Sequence, residues 1–229
     1  MGATFQQFLA RVAARQRVVL LGGLAVIAHS LLRPTKVGDA WLDPLESAEA
    51  WASTLALTLR EFPGLSLYML GARCEFPAEK IAEVIACDEV LRVRGLPADL
   101  DLFRKPTGLE CADFGEVWER ATIWADTVRV IDPLDLILTK ENTGRNQDQQ
   151  DVMFLENKVR GEFGARVAVA TPEEARALLA RYADHAVCAR ALENPHAEVR
   201  ALARETLAEL AAQGDWFSRD ILARVEARE

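Results

Sequence analysis

A chain of 229 residues, half of them hydrophobic, provides for one large domain or a domain with a helical appendage, and holds enough apolar material for a sizeable core. Its formal charge of −8, carried mostly by residues 1–165, excludes the broad basic field of a non-specific nucleic-acid binder. The longest apolar run, Val18–Ala28, contains two glycines and is too short to cross a bilayer, and the N-terminus lacks a signal-peptide cleavage pattern, so a soluble cytoplasmic protein without membrane partners is expected.

In chain order, Phe5–Ala14 has a helical pattern, Val18–Leu21 reads as a buried strand and Leu24–Leu31 as a second helix. Gly38–Leu42 is an acidic strand, and Asp43-Pro44-Leu45-Glu46-Ser47 turns into a helix reaching about Arg60, which Phe62, Pro63 and Gly64 end. Pro77 opens a helix over Ala78–Ala86. Val90–Val93 and Ala98–Phe103 follow as strands joined around Gly95 and Pro97, the second placing Asp99 and Asp101 on one face. Phe114–Arg120 is a helix, Thr122–Ala125 and Val128–Ile131 a hairpin around Asp126-Thr127, and Asp132-Pro133 starts a helix through Lys140. This alternation is α/β.

Residues 166–229 change character, becoming rich in Ala, Leu, Arg and Glu. Thr171-Pro172-Glu173-Glu174 combines an N-cap, a first-turn proline and a capping-box glutamate, and Asn194-Pro195 starts another helix that Gly214 ends. A three- or four-helix appendage over 166–229 therefore follows a core over 1–165. Its helices either cover the core or, with Trp216 and Phe217, shape a partner groove. The four cysteines, Cys74, Cys87, Cys111 and Cys188, show no zinc spacing and read as reduced, mostly buried thiols, and His29 reads as a packing residue.

The segment Val18–Asp43 sets a Gly-Gly turn between an apolar strand and a helix, then a strand with carboxylates. Without side chains, Gly22 and Gly23 let turn amides and a helix N-terminus approach a phosphate closely. In this segment the chain resembles the nucleotidyltransferase superfamily, in particular its AbiEii-like and minimal-nucleotidyltransferase branches, whose motif runs GG, a helix, then R-x-T-x-D-x-D. Here it reads Arg33-Pro34-Thr35-Lys36-Val37-Gly38-Asp39: Asp39 matches the second family aspartate, and Val37 stands where the first would be. The third corresponds best to Asp101 in Asp99-Leu100-Asp101-Leu102-Phe103, and a lysine followed by an R-x-x-D-x-x-D helix is matched by Lys140, Arg145, Asp148 and Asp151.

Residues two apart on a strand share a face about 6.6 Å apart, whereas Asp39 and Asp43, four apart, lie about 13 Å from one another, too far for Asp43 to replace the missing carboxylate. A bulge at Gly38 would re-aim Asp39 without adding a ligand. Lys140 suits a triphosphate as a point cation and Arg145 as a planar fork, although Arg145, Asp148 and Asp151 read equally as solvated ion pairs on one helical face.

The resemblance implies a nucleotidyltransferase-like mixed sheet flanked by helices, an α/β (α+β) fold with a C-terminal helical bundle. It implies Mg2+-dependent transfer of a nucleoside monophosphate from an NTP to an RNA, protein or small-molecule acceptor, in a family that includes toxins with cognate antitoxins. Asp39, Asp101 and Lys140 would then be catalytic, Asp39 and Asp101 the metal ligands, and Gly22, Gly23, Arg33, Thr35, Lys140, Arg145 and Asp148 the nucleotide contacts. Val37 keeps a second expectation open: a degenerate member that binds a nucleotide or a protein without catalysis.

Overall fold

The computed structural model describes residues 4–227 apart from 89, 126 and 142, so Asp126 of the expected hairpin turn lies outside the described residues. Helix α1 (Phe5–Ala13) opens on Thr4, whose hydroxyl accepts from the Gln7 amide while the Gln7 side chain accepts from the Thr4 amide. There follow β1 (Val18–Leu21), α2 (Gly22–Ala28), β2 (Val37–Leu42), α3 (Ala48–Glu61), β3 (Ser66–Met69), β4 (Cys74–Glu75) and α4 (Ile81–Ala86). Next come β5 (Leu91–Arg94), β6 (Asp99–Phe103), α5 (Phe114–Arg120), β7 (Thr122–Ala125), β8 (Val128–Val130) and α6 (Pro133–Leu138). Five helices complete the chain: α7 (Asn146–Val167), α8 (Pro172–Arg181), α9 (His185–Ala191), α10 (Ala197–Ala212) and α11 (Trp216–Glu226).

Among the described residues eight strands form one mixed sheet in the order β4-β3-β5-β6-β2-β1-β8-β7. This is the expected α/β class: a mixed sheet flanked by helices, with a C-terminal helical bundle. The contacts divide the chain into two units, up to Leu155 and from Glu156, a division that falls inside α7. Among the described residues no helix is long and apolar enough to cross a membrane.

In the first unit β1 lies inside the sheet, antiparallel to β2 and parallel to β8, and all four of its residues are buried. An uninterrupted Val-Val-Leu-Leu run is what a strand covered on both faces requires. Strand β2 alternates: Gly38, Ala40 and Leu42 point one way, Val37, Asp39 and Trp41 the other. Trp41 is fully buried, packs edge-on against Phe114 at 4.9 Å and donates from its indole to the Arg104 carbonyl at 2.8 Å. Thus one face of β2 runs from dry core at Trp41 to a polar opening at Asp39. Asp43, past the strand end, is fully buried and bound by Arg17 at 2.6 Å, a structural pair outside the opening.

The ladder between β2 and β6 is continuous from Val37↔Asp99 to Trp41↔Phe103, so Gly38 marks no bulge. It is small because α1 and α2 press on it: a Cβ there would lie 2.3 Å from Phe5 Cε2 and 2.6 Å from Leu24 Cδ1. Helix α2 begins at Gly22, earlier than its apolar pattern suggested, and Ser30, at φ +83°, turns the chain away after it. Strands β3 and β4 carry no alternation strong enough to be read from sequence. Cys74 on the edge strand β4 and Cys87 just past α4 are exposed and Cys111 is half-buried, which corrects the expectation of mostly buried thiols; Cys188 alone of the four is buried.

In the second unit the capping box at Thr171 is present as expected, with Thr171 and Glu174 bonded reciprocally. Asn194 does more than start a helix: buried, it donates to the carbonyls of Val167 at 2.8 Å and Ala170 at 3.0 Å, and its carbonyl accepts from the His196 amide. The end of α7 and the start of α10 are thereby joined through one side chain. Trp216 and Phe217 stack at 4.0 Å on the exposed side of this unit, with His185 on Phe217.

Substituting Gly38→Ala should lower stability by about 1–3 kcal/mol, since the Phe5 ring and the Leu24 side chain would both have to shift to admit the methyl. Urea denaturation checks this; an unchanged midpoint would show that α1 and α2 are not held against β2.

Candidate functional site

The Gly-Gly turn and the acidic strand meet directly. Leu21 pairs with Asp39 across β1 and β2, and the turn at Gly22, with φ +61°, folds back over the Asp39 carboxylate. A Cβ on Gly22 would fall 1.9 Å from Asp39 Oδ2, so glycine is required there both for its backbone angle and for its size. A Cβ on Gly23 would fall 2.8 Å from Thr35 Oγ1 and 2.9 Å from an Arg33 guanidinium nitrogen. In the fold both glycines line the cleft and make room for Arg33, Thr35 and Asp39. The Gly23 amide donates to Asp39, so a carboxylate of the chain itself takes the positive start of the short helix α2.

Asp101 stands beside Asp39. Strands β2 and β6 are parallel with Asp39↔Asp101 in register, and β5 is antiparallel to β6 with Arg92↔Asp101 in register. Neighbouring strands lie about 4.8 Å apart, so Asp39, Asp101 and Arg92 form a row on one face of the sheet. Arg92 grips Asp101 with both arms, Nε to Oδ1 at 2.6 Å and a terminal nitrogen to Oδ2 at 2.8 Å. Burial, followed by the neighbouring Asp101 charge, raises the Asp39 carboxyl from 3.8 to about 6 against the pull of Lys140, Arg145 and the Gly23 amide.

A second group of charges closes the other wall. Lys140, past the end of α6, is buried between Asp148 at 2.7 Å and Asp151 at 2.8 Å on the first turns of α7. Asp151, fully buried, also holds Arg33 at 2.7 Å, and Asp148 accepts from the Thr143 hydroxyl at 2.7 Å and from exposed Arg145 at 2.9 Å. Burial acts to raise the Asp148 carboxyl, but the Lys140 and Thr143 hydrogen bonds outweigh it and hold it below the ordinary carboxylate range. The Lys140–Asp148, Lys140–Asp151 and Arg33–Asp151 pairs are buried and interlocked, whereas Arg145–Asp148 is the i, i+3 bridge with an exposed arginine that the spacing permits. One Asp151 oxygen and the Arg33 Nε are buried with no partner among the described residues.

Every residue that the sequence nominated for the site lines one cleft of about 760 Å³, although Gly22 and Asp148 lie far apart in the chain. Sequence reasoning missed Lys36 and Lys105 at its rim and Arg92 in its floor. The alternation Leu91-Arg92-Val93-Arg94 on a strand beside the D-x-D strand was the signal for Arg92. With Arg33, Lys140 and Arg145 the cleft holds six basic residues against three aspartates, Asp39, Asp101 and Asp148, in a chain whose net charge is −8. Leu21, Val37, Leu70, Val90 and Phe103 supply apolar wall. His29 packs below, its Nε2 2.8 Å from the Ile131 carbonyl.

The residues do not fit a magnesium ion. Arg92 engages both Asp101 oxygens, Val37 adds no carboxylate, and among the described residues no group of three or more His, Cys, Asp or Glu side chains is arranged to hold a metal. Magnesium wants several oxygen ligands in near-octahedral order, and a carboxylate already committed to a guanidinium is a poor one.

The folded protein holds the Asp39 proton more tightly than the unfolded chain does, so its carboxylate costs nothing below pH 3.8 and destabilises increasingly as pH rises through about 6. The isosteric Asp39→Asn variant should match the wild type near pH 4 and exceed it in stability above about pH 7. Urea midpoints across that range check this; a pH-independent difference would contradict it.

A comparison with protein-family models gives no match for this chain, and one with curated proteins gives none either.

Proposed function

We propose that the cleft between the Gly22-Gly23 turn and the Lys140 wall binds the polyphosphate of a nucleotide, on a core resembling that of the nucleotidyltransferases but without their metal-dependent chemistry. The observation that carries this reading is the surplus of basic residues in the cleft of an otherwise acidic chain. Local positive charge inside a negative molecule marks where an anion is meant to go. The cleft volume lies within the range typical of small-ligand pockets, roughly 300–1,000 Å³, and its apolar wall offers a surface for a base or sugar.

The basic residues divide by availability. Arg33, Lys140 and Arg92 are committed to aspartates and set the shape and potential of the cleft. Lys36 is exposed with no ion pair among the described residues, Arg145 reaches only the edge of Asp148 and is mostly exposed, and Lys105 bonds exposed Asp88 at the surface. These three can turn toward a phosphate without leaving a buried carboxylate unpaired.

A second reading, transfer of a nucleoside monophosphate to an acceptor, is favoured by one observation: Asp39 and Asp101 are direct cross-strand partners. The grip of Arg92 on Asp101 weighs against it. Incubation with labelled NTP and magnesium separates the two: label transferred to added RNA or to the protein, and lost in Asp39→Asn, would replace the binding reading.

Calorimetric titration with each of the four NTPs should show saturable binding of at least one. Lys36→Ala and Arg145→Ala should each weaken it about five- to tenfold, the value of one lost charge-assisted contact, without moving the thermal midpoint. No binding of any NTP would overturn the proposal.

A further inference from the structure

Strands β2 and β6 together carry an acidic patch on one face of the sheet. Asp99 and Asp101, two apart on β6, share a face, Asp39 lies beside Asp101, and the fourth position of this two-by-two patch is Val37, beside Asp99. Carboxylates gathered on one face of a sheet call for a counter-charge. That charge is Arg92, which the register of β5 against β6 sets opposite Asp101. Its guanidinium bonds both Asp101 oxygens and comes within 4.0 Å of Asp99 Oδ2.

We propose that Arg92 is a resident counter-cation that occupies the place of a divalent ion, so that this cleft takes its anionic ligand without a metal. Arg92 is a positioning residue: it acts through Asp101. The strand pairing on both sides of Asp101 supplies the geometry, and the planar fork supplies two parallel hydrogen bonds that a hydrated ion would have to displace together. Arginine keeps its charge at every physiological pH, and the three carboxylates reinforce it here, Asp101 first. Val37 is consistent with the same assignment, since a site already neutralised by a guanidinium has no use for a further carboxylate. The metal-exclusion half of the proposal stands on this geometry alone; the ligand half rests on the nucleotide reading above.

The test is titration with Mn2+, followed by the electron paramagnetic resonance of the free ion, on the wild type, on Arg92→Gln and on the double variant Arg92→Gln with Asp101→Asn. The wild type should show no saturable binding below about 1 mM; Arg92→Gln should bind at least tenfold more tightly, and the double variant should lose that gain. Saturable wild-type binding below that concentration, or an Arg92→Gln protein that is folded by circular dichroism yet binds no more tightly than the wild type, overturns the proposal. Should Arg92→Gln fail to fold, the wild type still decides: ATP affinity measured calorimetrically in EDTA and in magnesium must agree within about twofold, and a tenfold dependence on magnesium overturns the assignment. Absence of ATP binding altogether is a failure of the nucleotide reading and not of this one, which the wild-type Mn2+ titration then judges by itself.

Discussion

The close approach of the Gly22-Gly23 turn to the Asp39 carboxylate is the constraint on which the cleft depends. It joins the end of β1, the start of α2 and the middle of β2 at one point where any side chain would collide with the carboxylate. Once Asp39 is pinned there by the Gly23 amide, strand register fixes the remainder of the floor: Asp101 on one side of it, then Arg92. A helix of seven residues has little dipole to offer, and Asp39 already uses it. The turn holds a carboxylate, and under the proposed reading a phosphate would be met by side chains farther along the chain.

The Lys140 wall closes the other side of the cleft. A buried ammonium between two buried carboxylates is costly to desolvate, and removing Lys140 would leave Asp151 to Arg33 and Asp148 to exposed Arg145 and Thr143, lowering stability. A Lys140 variant would thus report on folding as much as on binding. The network contributes shape more than net stability: it ties the chain after α2 to the end of α6 and to the first turns of α7. The unsatisfied Arg33 Nε and Asp151 oxygen are what a rigid arrangement chosen for position over perfect pairing leaves behind.

Much of this was legible in the sequence. The Val-Val-Leu-Leu strand, the D-L-D strand, the helix at Phe114 and the Thr171 capping box carry strong local signals, and the charged residues that line the cleft are visible as types at particular spacings. Three things were not legible, for physical reasons. Gly38 looks like a bulge because a strand glycine is locally ambiguous, and only the packing of Phe5 and Leu24 explains it. The burial of Asp148 and Asp151 depends on a lysine and an arginine from other segments, so a spacing that suits exposed ion pairs equally suits an interlocked core. Arg92 is invisible as a partner of Asp101 until the antiparallel register of β5 and β6 is known.

The central question for the cleft is where an anionic ligand sits and whether it needs a metal there. The most direct measurement is a crystal structure with a non-hydrolysable ATP analogue bound in the presence of EDTA. Phosphate oxygens should lie in the cleft between the Gly22-Gly23 turn and α7, within hydrogen-bond reach of Lys36 or Arg145, with Arg92 still on Asp101. An analogue bound elsewhere, or in the cleft only when magnesium is added and Arg92 has moved off Asp101, would contradict the proposed reading.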